Sequence, residues 1–179
     1  EAMKKTPSLT IAIPAYNEAG SIEQVMSDAF AAAKNLASDF EILVVDDGST
    51  DGTGAILDRL TKKNPHIKLI RHPKNQGFSG AIKSCYKNAT RKLVFLLPAD
   101  GQIAASDCKL FLKKIEEADV VVGYRTNNPE PWSRRFNSFV FHTVYRTLFG
   151  VRLREISTSI LWKKKVLDSI NITAIPGSA

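Results

Sequence analysis

Several things are scarce in this chain. It holds two cysteines, Cys85 and Cys108, in separate segments with no metal-type spacing. That excludes a disulfide scaffold or a zinc ribbon and reads as two reduced, buried thiols of a cytoplasmic protein. No run of about 18 consecutive apolar residues occurs, so these residues contain no spanning helix. No secretory signal is visible: the start, EAMKK, reads as an expression remnant before a native Met3, and residues 1–8 are expected to be disordered or tag-derived. Gly-x-Gly-x-x-Gly is absent after the first strand candidate, as is a Walker sequence, so a bound nucleotide would be held by neither device. There is no internal repeat and no low-complexity segment. His66, His72 and His142 have no ligand spacing and read as structural or surface residues. No Ser-His-Asp or Cys-His arrangement is visible in sequence order. Acid is short in the last third: from Val120 onward the only acids are Glu130, Glu155 and Asp168, against Arg125, Arg134, Arg135, Arg146, Arg152, Arg154 and Lys163–Lys165. With a net charge of +7, that asymmetry points to an anionic partner, such as nucleotide phosphates or lipid headgroups, or to a solvated basic surface. A nucleic-acid partner is disfavoured because no recognition module is present.

What is present is an alternation of short apolar runs and helical patterns. Strands are expected at LTIAI, EILVV, IKLIR, KLVFLL and DVVVG, and helices at 21–37, 54–63, 77–89 and 106–118. Ser21 and Gln24 have the spacing of a capping box at the first helix. Strands separated by helices of about 10–15 residues predict βαβ units and a mostly parallel sheet. Their continuous Val/Ile/Leu runs predict helices on both faces. The whole of 9–179 reads as one domain, expected to continue beyond the last residue.

In such folds ligands bind beyond the carboxyl ends of the strands. The residues there are PAYNE, DDGSTD, HPKNQGFSG, PADGQ and YR. Acids cluster at three strand ends, and their repulsion would destabilise the sheet unless a cation or a hydrogen-bonding ligand offset it. In DDGSTDG, Gly48 permits a tight turn, Asp51 or Thr50 is expected to cap the next helix, and Asp47 to face the ligand. Tyr16 offers a ring for stacking and a hydroxyl.

Together, IPAYNEAGSI, EILVVDDGSTDGT, NQGFSGAIKSC and VFLLPADGQ resemble, in order and spacing, the family 2 inverting GT-A glycosyltransferases. Within that family the chain looks like the polyprenyl-phosphate sugar transferases of the dolichyl-phosphate mannose synthase type. The resemblance runs from Leu9 to about Leu167 and implies a GT-A, Rossmann-like α/β fold. It also implies a nucleotide-sugar donor (UDP-, GDP- or dTDP-linked) and a polyprenyl-phosphate acceptor, at the cytoplasmic face of a membrane in cell-envelope glycan synthesis. By the same resemblance Pro14, Tyr16, Glu18 and Asp47 bind the nucleotide, with Asp47 reading the base. Asp100 and Gln102 hold Mg²⁺ or Mn²⁺, and Asp100 and Arg125 act on the donor diphosphate.

The chain departs from the family pattern at Pro98, where the first carboxylate of an Asp-x-Asp pair would stand. It departs again at Arg154 and Thr158, where the pattern has an acid and a glycine. The segment 131–149 is rich in aromatics and arginine. It is read either as an interfacial helix, with Trp132, Arg134 and Arg135 at the lipid acceptor, or as a broad core-facing helix. Two functional readings follow: an active transferase with a weakened metal site, or a domain that binds nucleotide-sugar or lipid without turnover.

Overall fold

The computed structural model describes residues 6–123 and 159–170. The chain runs β1 (Thr6–Ala15), α1 (Ile22–Leu36), β2 (Ala37–Asp46), α2 (Thr53–Lys63), β3 (Ile67–Arg71), α3 (Gly77–Asn88) and β4 (Leu93–Leu96). A 3₁₀ turn at Ala105–Asp107 leads into α4 (Cys108–Leu112), then β5 (Val120–Val122), β6 (Ile160–Lys163) and α5 (Lys164–Ser169). The six strands form one sheet in the order β3-β2-β1-β4-β6-β5. β1 to β4 are parallel, and β6 lies antiparallel between β4 and β5. The mostly parallel sheet expected from the alternation of apolar runs and helices is therefore present.

Pleating sends alternate residues to opposite faces, and both faces are covered. Leu9, Ile11, Ile13, Ile42, Val44 and Phe95 pack with Ile22, Met26, Ala29 and Leu57 of α1 and α2, and with Cys108 of α4. Ala12, Leu43, Val45, Val94 and Leu96 pack on the other side with Ala81, Cys85 and Tyr86 of α3 and with Leu167 of α5. Along α1 the buried positions Ile22, Val25, Met26, Ala29, Ala32 and Ala33 follow helical spacing, so one stripe meets the sheet. Both cysteines are buried and unbonded, and burial pushes the Cys108 thiol up to about 12.

Four expectations need correction. Residues 6–8, expected to be disordered or tag-derived, are ordered and open β1: Thr6 and Ser8 pair with Ala37 and Asp39, and Ser8 Oγ accepts the Lys92 N–H at 3.0 Å. The helix expected over 106–118 is regular only through Leu112, beyond which Lys114 and Glu117 donate to carbonyls three residues back. The strand β6 was not anticipated, because ILWK is too short to declare itself and its partners are distant. Its register sets Val94 against Trp162, whose Nε1–H donates to Tyr86 Oη at 3.0 Å. The Ser21–Gln24 capping box does not form: Gln24 Nε2 donates to Asp28, and Ser21 Oγ bonds elsewhere. The segment 131–149, with Arg154 and Thr158, lies outside the described residues.

At the opposite end of the sheet from the strand ends that matter below, Glu41 is 2% exposed. It accepts from Thr10 Oγ1 at 2.7 Å and from Thr90 N at 2.7 Å, and pairs with Lys68 at 2.6 Å. Burial alone would raise its pKa. Lys68, then Thr10 and Thr90, outweigh burial and hold the carboxyl below its ordinary value.

Candidate functional site

β1 has β2 on one side and β4 on the other, so chain direction across the sheet reverses between β1 and β4. A crevice opens beyond the carboxyl ends of strands at such a switch point.

The two aspartates at the end of β2 take different roles because the pleat separates them. Asp46 shares a face with Ile42 and Val44, toward α2. Its Oδ2 accepts from Arg71 Nε at 3.0 Å and its Oδ1 from Ser49 N at 3.0 Å. Arg71, opposite Asp46 in the β2–β3 register, also reaches Asp58 at 3.2 Å and the Gly54 carbonyl at 3.1 Å. Asp46 is therefore committed to holding α2 and the turn. Asp47 lies on the other face, toward α3, and is 2% exposed. Its Oδ1 accepts the Gln76 N–H at 2.9 Å and lies 2.5 Å from His72 Nδ1. An ionised carboxylate carries no proton, so Nδ1–H is the donor. His72 Nε2 lies 2.8 Å from Ser84 Oγ on α3.

An Asp-His-Ser chain thus exists in space although sequence order hid it. Ser84 is not among the residues lining the cavity described below, whereas Asp47 is, so toward that cavity the chain serves to hold Asp47. His72, read from sequence as a structural or surface residue, is buried and holds the Asp47 carboxylate.

The loops after β1 and β2 are stitched together. Asn17 N donates to Ser49 Oγ at 3.0 Å, and Thr50 N to Asn17 Oδ1 at 2.8 Å. Glu18 N donates to Thr53 Oγ1 at 2.9 Å, and Ala19 N to Asp51 Oδ2 at 3.0 Å. Asp51 Oδ1 accepts from Thr53 Oγ1 and Thr53 N at the first residue of α2, but the N-cap is Gly52 with no side-chain cap bond, so the cap expected from Asp51 or Thr50 is corrected; Thr50 serves the loop. Those bonds, led by Thr53, hold the Asp51 carboxyl below its ordinary value. Ser21 Oγ lies 2.8 Å from both Glu18 Oε2 and the Ala99 carbonyl, tying the loop after β1 to the loop after β4. The acidic cluster is thus largely offset from within, by N–H groups, hydroxyls, Arg71 and His72. The expectation that only a cation or ligand could offset it is corrected on this point.

Between these loops and α3 lies a cavity of about 320 Å³. Pro14, Tyr16, Glu18, Asp47 and Asp100, all singled out from the sequence, line it together with Pro98, Asn75, Gly77, Phe78 and Ala81. Tyr16 and Phe78 are 44% and 59% exposed, so both rings offer faces for stacking. Phe78 and Asn75 sit in the strand-end segment HPKNQGFSG, whose sequence does not distinguish them from their neighbours. Gln102 is not among these residues. Its backbone N–H donates to Asp100 Oδ1 at 3.0 Å, and the residue lines a separate cavity with Ser21, Gln24 and Asp28. Gly101, with φ +71°, forms the turn between Asp100 and Gln102, and their pairing as joint cation ligands belongs to the proposed function. Arg125, Trp132, Arg134 and Arg135 lie outside the described residues.

Among the described residues no cluster of three or more His, Cys, Asp or Glu side chains could hold a metal. The donor set still fits a hard cation shared with a ligand. Glu18 and Asp100 both line the cavity, and Mg²⁺ or Mn²⁺ needs only one or two carboxylates where phosphate oxygens complete the shell.

A doubly covered, mostly parallel sheet with a cavity at its switch point, walled by strand-end carboxylates, defines an α/β domain of the GT-A type. Solved structures of that fold superpose on it. A mannosyltransferase from Pyrobaculum calidifontis in complex with GDP-Man and Mn²⁺ matches with TM-score 0.63 and 20% identity, over 93% of this chain and 49% of that one. Glucosyl-3-phosphoglycerate synthase from Mycobacterium tuberculosis, in complex with Mn²⁺, UDP-glucose and phosphoglyceric acid, matches with TM-score 0.71 and 17% identity, over 92% and 59%. The model of glycosyl transferase family 2 matches residues 10–170, and the chain belongs to that family. Among its relatives is an undecaprenyl-phosphate 4-deoxy-4-formamido-L-arabinose transferase from Enterobacter sp. (strain 638), 27% identical over 165 residues. That alignment covers 90% of this chain and 50% of the relative, so the chain spans about half the relative's length.

Proposed function

We propose that this chain is the donor-binding part of an inverting glycosyltransferase that moves one sugar from a nucleoside-diphosphate donor to a polyprenyl phosphate. What supports the reading is the convergence of Tyr16, Glu18, Asp47 and Asp100 on one cavity at the switch point. A carboxylate held as Asp47 is held suits a nucleobase N–H, and exposed rings at Tyr16 and Phe78 suit a planar base. Membership of family 2 and the name of the Enterobacter relative favour a lipid-phosphate acceptor.

The chemistry asks little of the side chains. An acceptor oxygen attacks the anomeric carbon from the side opposite the diphosphate. The new C–O bond forms as the bond to the diphosphate breaks, and the nucleoside diphosphate leaves with that electron pair. A hydroxyl acceptor would need a general base. A phosphate monoester, with a second pKa of about 6, is already ionised at neutral pH. Positioning and charge stabilisation then carry the step. Asp100 with Gln102, and Glu18 lining the same cavity as Asp100, would hold a divalent cation, which when bound neutralises charge developing on the diphosphate. Arg125 is assigned to the same phosphates, and Trp132, Arg134 and Arg135 to the acceptor at the cytoplasmic membrane surface. No helix among the described residues is long and apolar enough to cross a membrane.

Pro98 favours a second reading. It lines the cavity where a second carboxylate would stand, and it supplies no ligand. On that reading the domain binds nucleotide-sugar or lipid without turnover. Titration with UDP, GDP and dTDP, with and without Mn²⁺, tests both. Mn²⁺-dependent binding that Asp100→Ala abolishes, followed by sugar transfer to a polyprenyl phosphate, supports the transferase. Metal-independent binding without transfer supports the binding module, and no binding overturns the transferase and the nucleotide-sugar form of the binding module.

A further inference from the structure

The way Asp47 is held bears on which base the cavity accepts, an inference that rests on the nucleotide reading above. We infer that the cavity selects a base presenting one imide N–H, uracil or thymine, over guanine, and that His72 sets this preference.

A carboxylate oxygen accepts about two hydrogen bonds. Asp47 Oδ1 already has two, from Gln76 N at 2.9 Å and His72 Nδ1 at 2.5 Å. Neither donor is free to leave. The Gln76 amide is part of the loop that packs on Gly48, and the His72 ring is buried and engaged by Ser84 at its other nitrogen. Asp47 therefore offers a ligand one oxygen, Oδ2.

Uracil and thymine bring a single donor, N3–H, between two carbonyls. One oxygen satisfies it. The two donors on Oδ1 offset the negative charge that would otherwise repel a flanking carbonyl. Guanine brings N1–H and N2–H side by side and is matched by both oxygens of a carboxylate. Against Asp47 one of those donors would be desolvated without a partner, which costs affinity. Cytosine and adenine place an unprotonated ring nitrogen at the same edge, where its lone pair faces the carboxylate.

His72 is thus a positioning residue: it touches no ligand and acts by occupying Oδ1. Its removal should change the ratio between bases more than overall affinity. His72→Phe removes the donor while keeping a ring, and His72→Asn restores an amide N–H near the Nδ1 position.

The test is calorimetric titration of the full chain with UDP and GDP at fixed Mn²⁺. The expected result is a UDP Kd at least about tenfold below that of GDP in the wild type. The ratio should fall at least about threefold in His72→Phe and return in His72→Asn. Equal or tighter GDP binding in the wild type overturns the inference and leaves the nucleotide reading intact. A folded His72→Phe with an unchanged ratio removes His72 from the account. If His72→Phe does not fold, loss of the UDP preference in His72→Asn refutes the role, and its retention supports it. Binding of neither nucleotide overturns the nucleotide reading itself, and the inference with it.

Discussion

Replacing Gly48 by alanine tests how the cavity is assembled. Gly48 has φ +74°, and a Cβ built there would lie 2.8 Å from Asn75 N and 2.8 Å from the Lys74 carbonyl carbon. Both neighbours are backbone, so relief requires the 72–76 loop to move off the turn after β2. Gly52 is the control: its φ is +101°, but a Cβ there meets nothing within 4 Å. Gly52→Ala should carry only the left-handed penalty, about 1–2 kcal/mol. Gly48→Ala should carry that penalty plus the contact the loop loses. The vulnerable contact is the Gln76 N–H bond to the Asp47 carboxylate, about 1.5–3 kcal/mol for a bond to a charged group. The difference between the two variants should therefore be about 1.5–3 kcal/mol, or roughly 3–12 °C in Tm for a chain of this size. Urea denaturation gives the free energies and thermal melts give the shifts. UDP titration should show weaker binding in Gly48→Ala alone. Two variants equal in stability, and a Gly48→Ala protein that binds UDP normally, would refute the claim that Gly48 seats the loop.

Two further predictions concern the frame. Glu41 has its pKa lowered in the fold, so its bonds stabilise fully above the ordinary carboxylate range and are lost as pH falls through the depressed value. Glu41→Gln should cost about 1–3 kcal/mol at pH 7 in urea unfolding, with the gap to wild type narrowing toward pH 3; a gap constant with pH contradicts the network. Trp162→Phe should lower stability by about 1 kcal/mol through loss of the indole N–H bond to Tyr86 Oη, and a Trp162→Phe, Tyr86→Phe double-mutant cycle with no coupling would exclude that bond.

Much of the frame was legible in the sequence because its signals are local. Val/Ile/Leu runs marked β1 to β4, and helical spacing marked α1 to α3. What escaped depended on distant partners. Ser21 had the spacing to cap its own helix, but its hydroxyl meets the Ala99 carbonyl, 78 residues away. ILWK becomes β6 only because β4 and β5 leave it a slot. At the site, Tyr16, Glu18, Asp47 and Asp100 were singled out as strand-end residues, and the sheet brings them together. The different roles of Asp46 and Asp47 were not readable from adjacency alone. They follow from the β2–β3 register, which sets Asp46 opposite Arg71 and so brings Asp47 beside His72. A paired reading of two strand ends, DD against RH, was the available signal for His72.

The central claim is that a donor nucleotide sits in this cavity with its base against Asp47. UDP titrated calorimetrically into wild type and Asp47→Asn, with melts showing both folded, tests it most directly. A Kd raised at least about tenfold, or roughly 1.4 kcal/mol, is expected in Asp47→Asn. Equal Kd values in two folded proteins would contradict it.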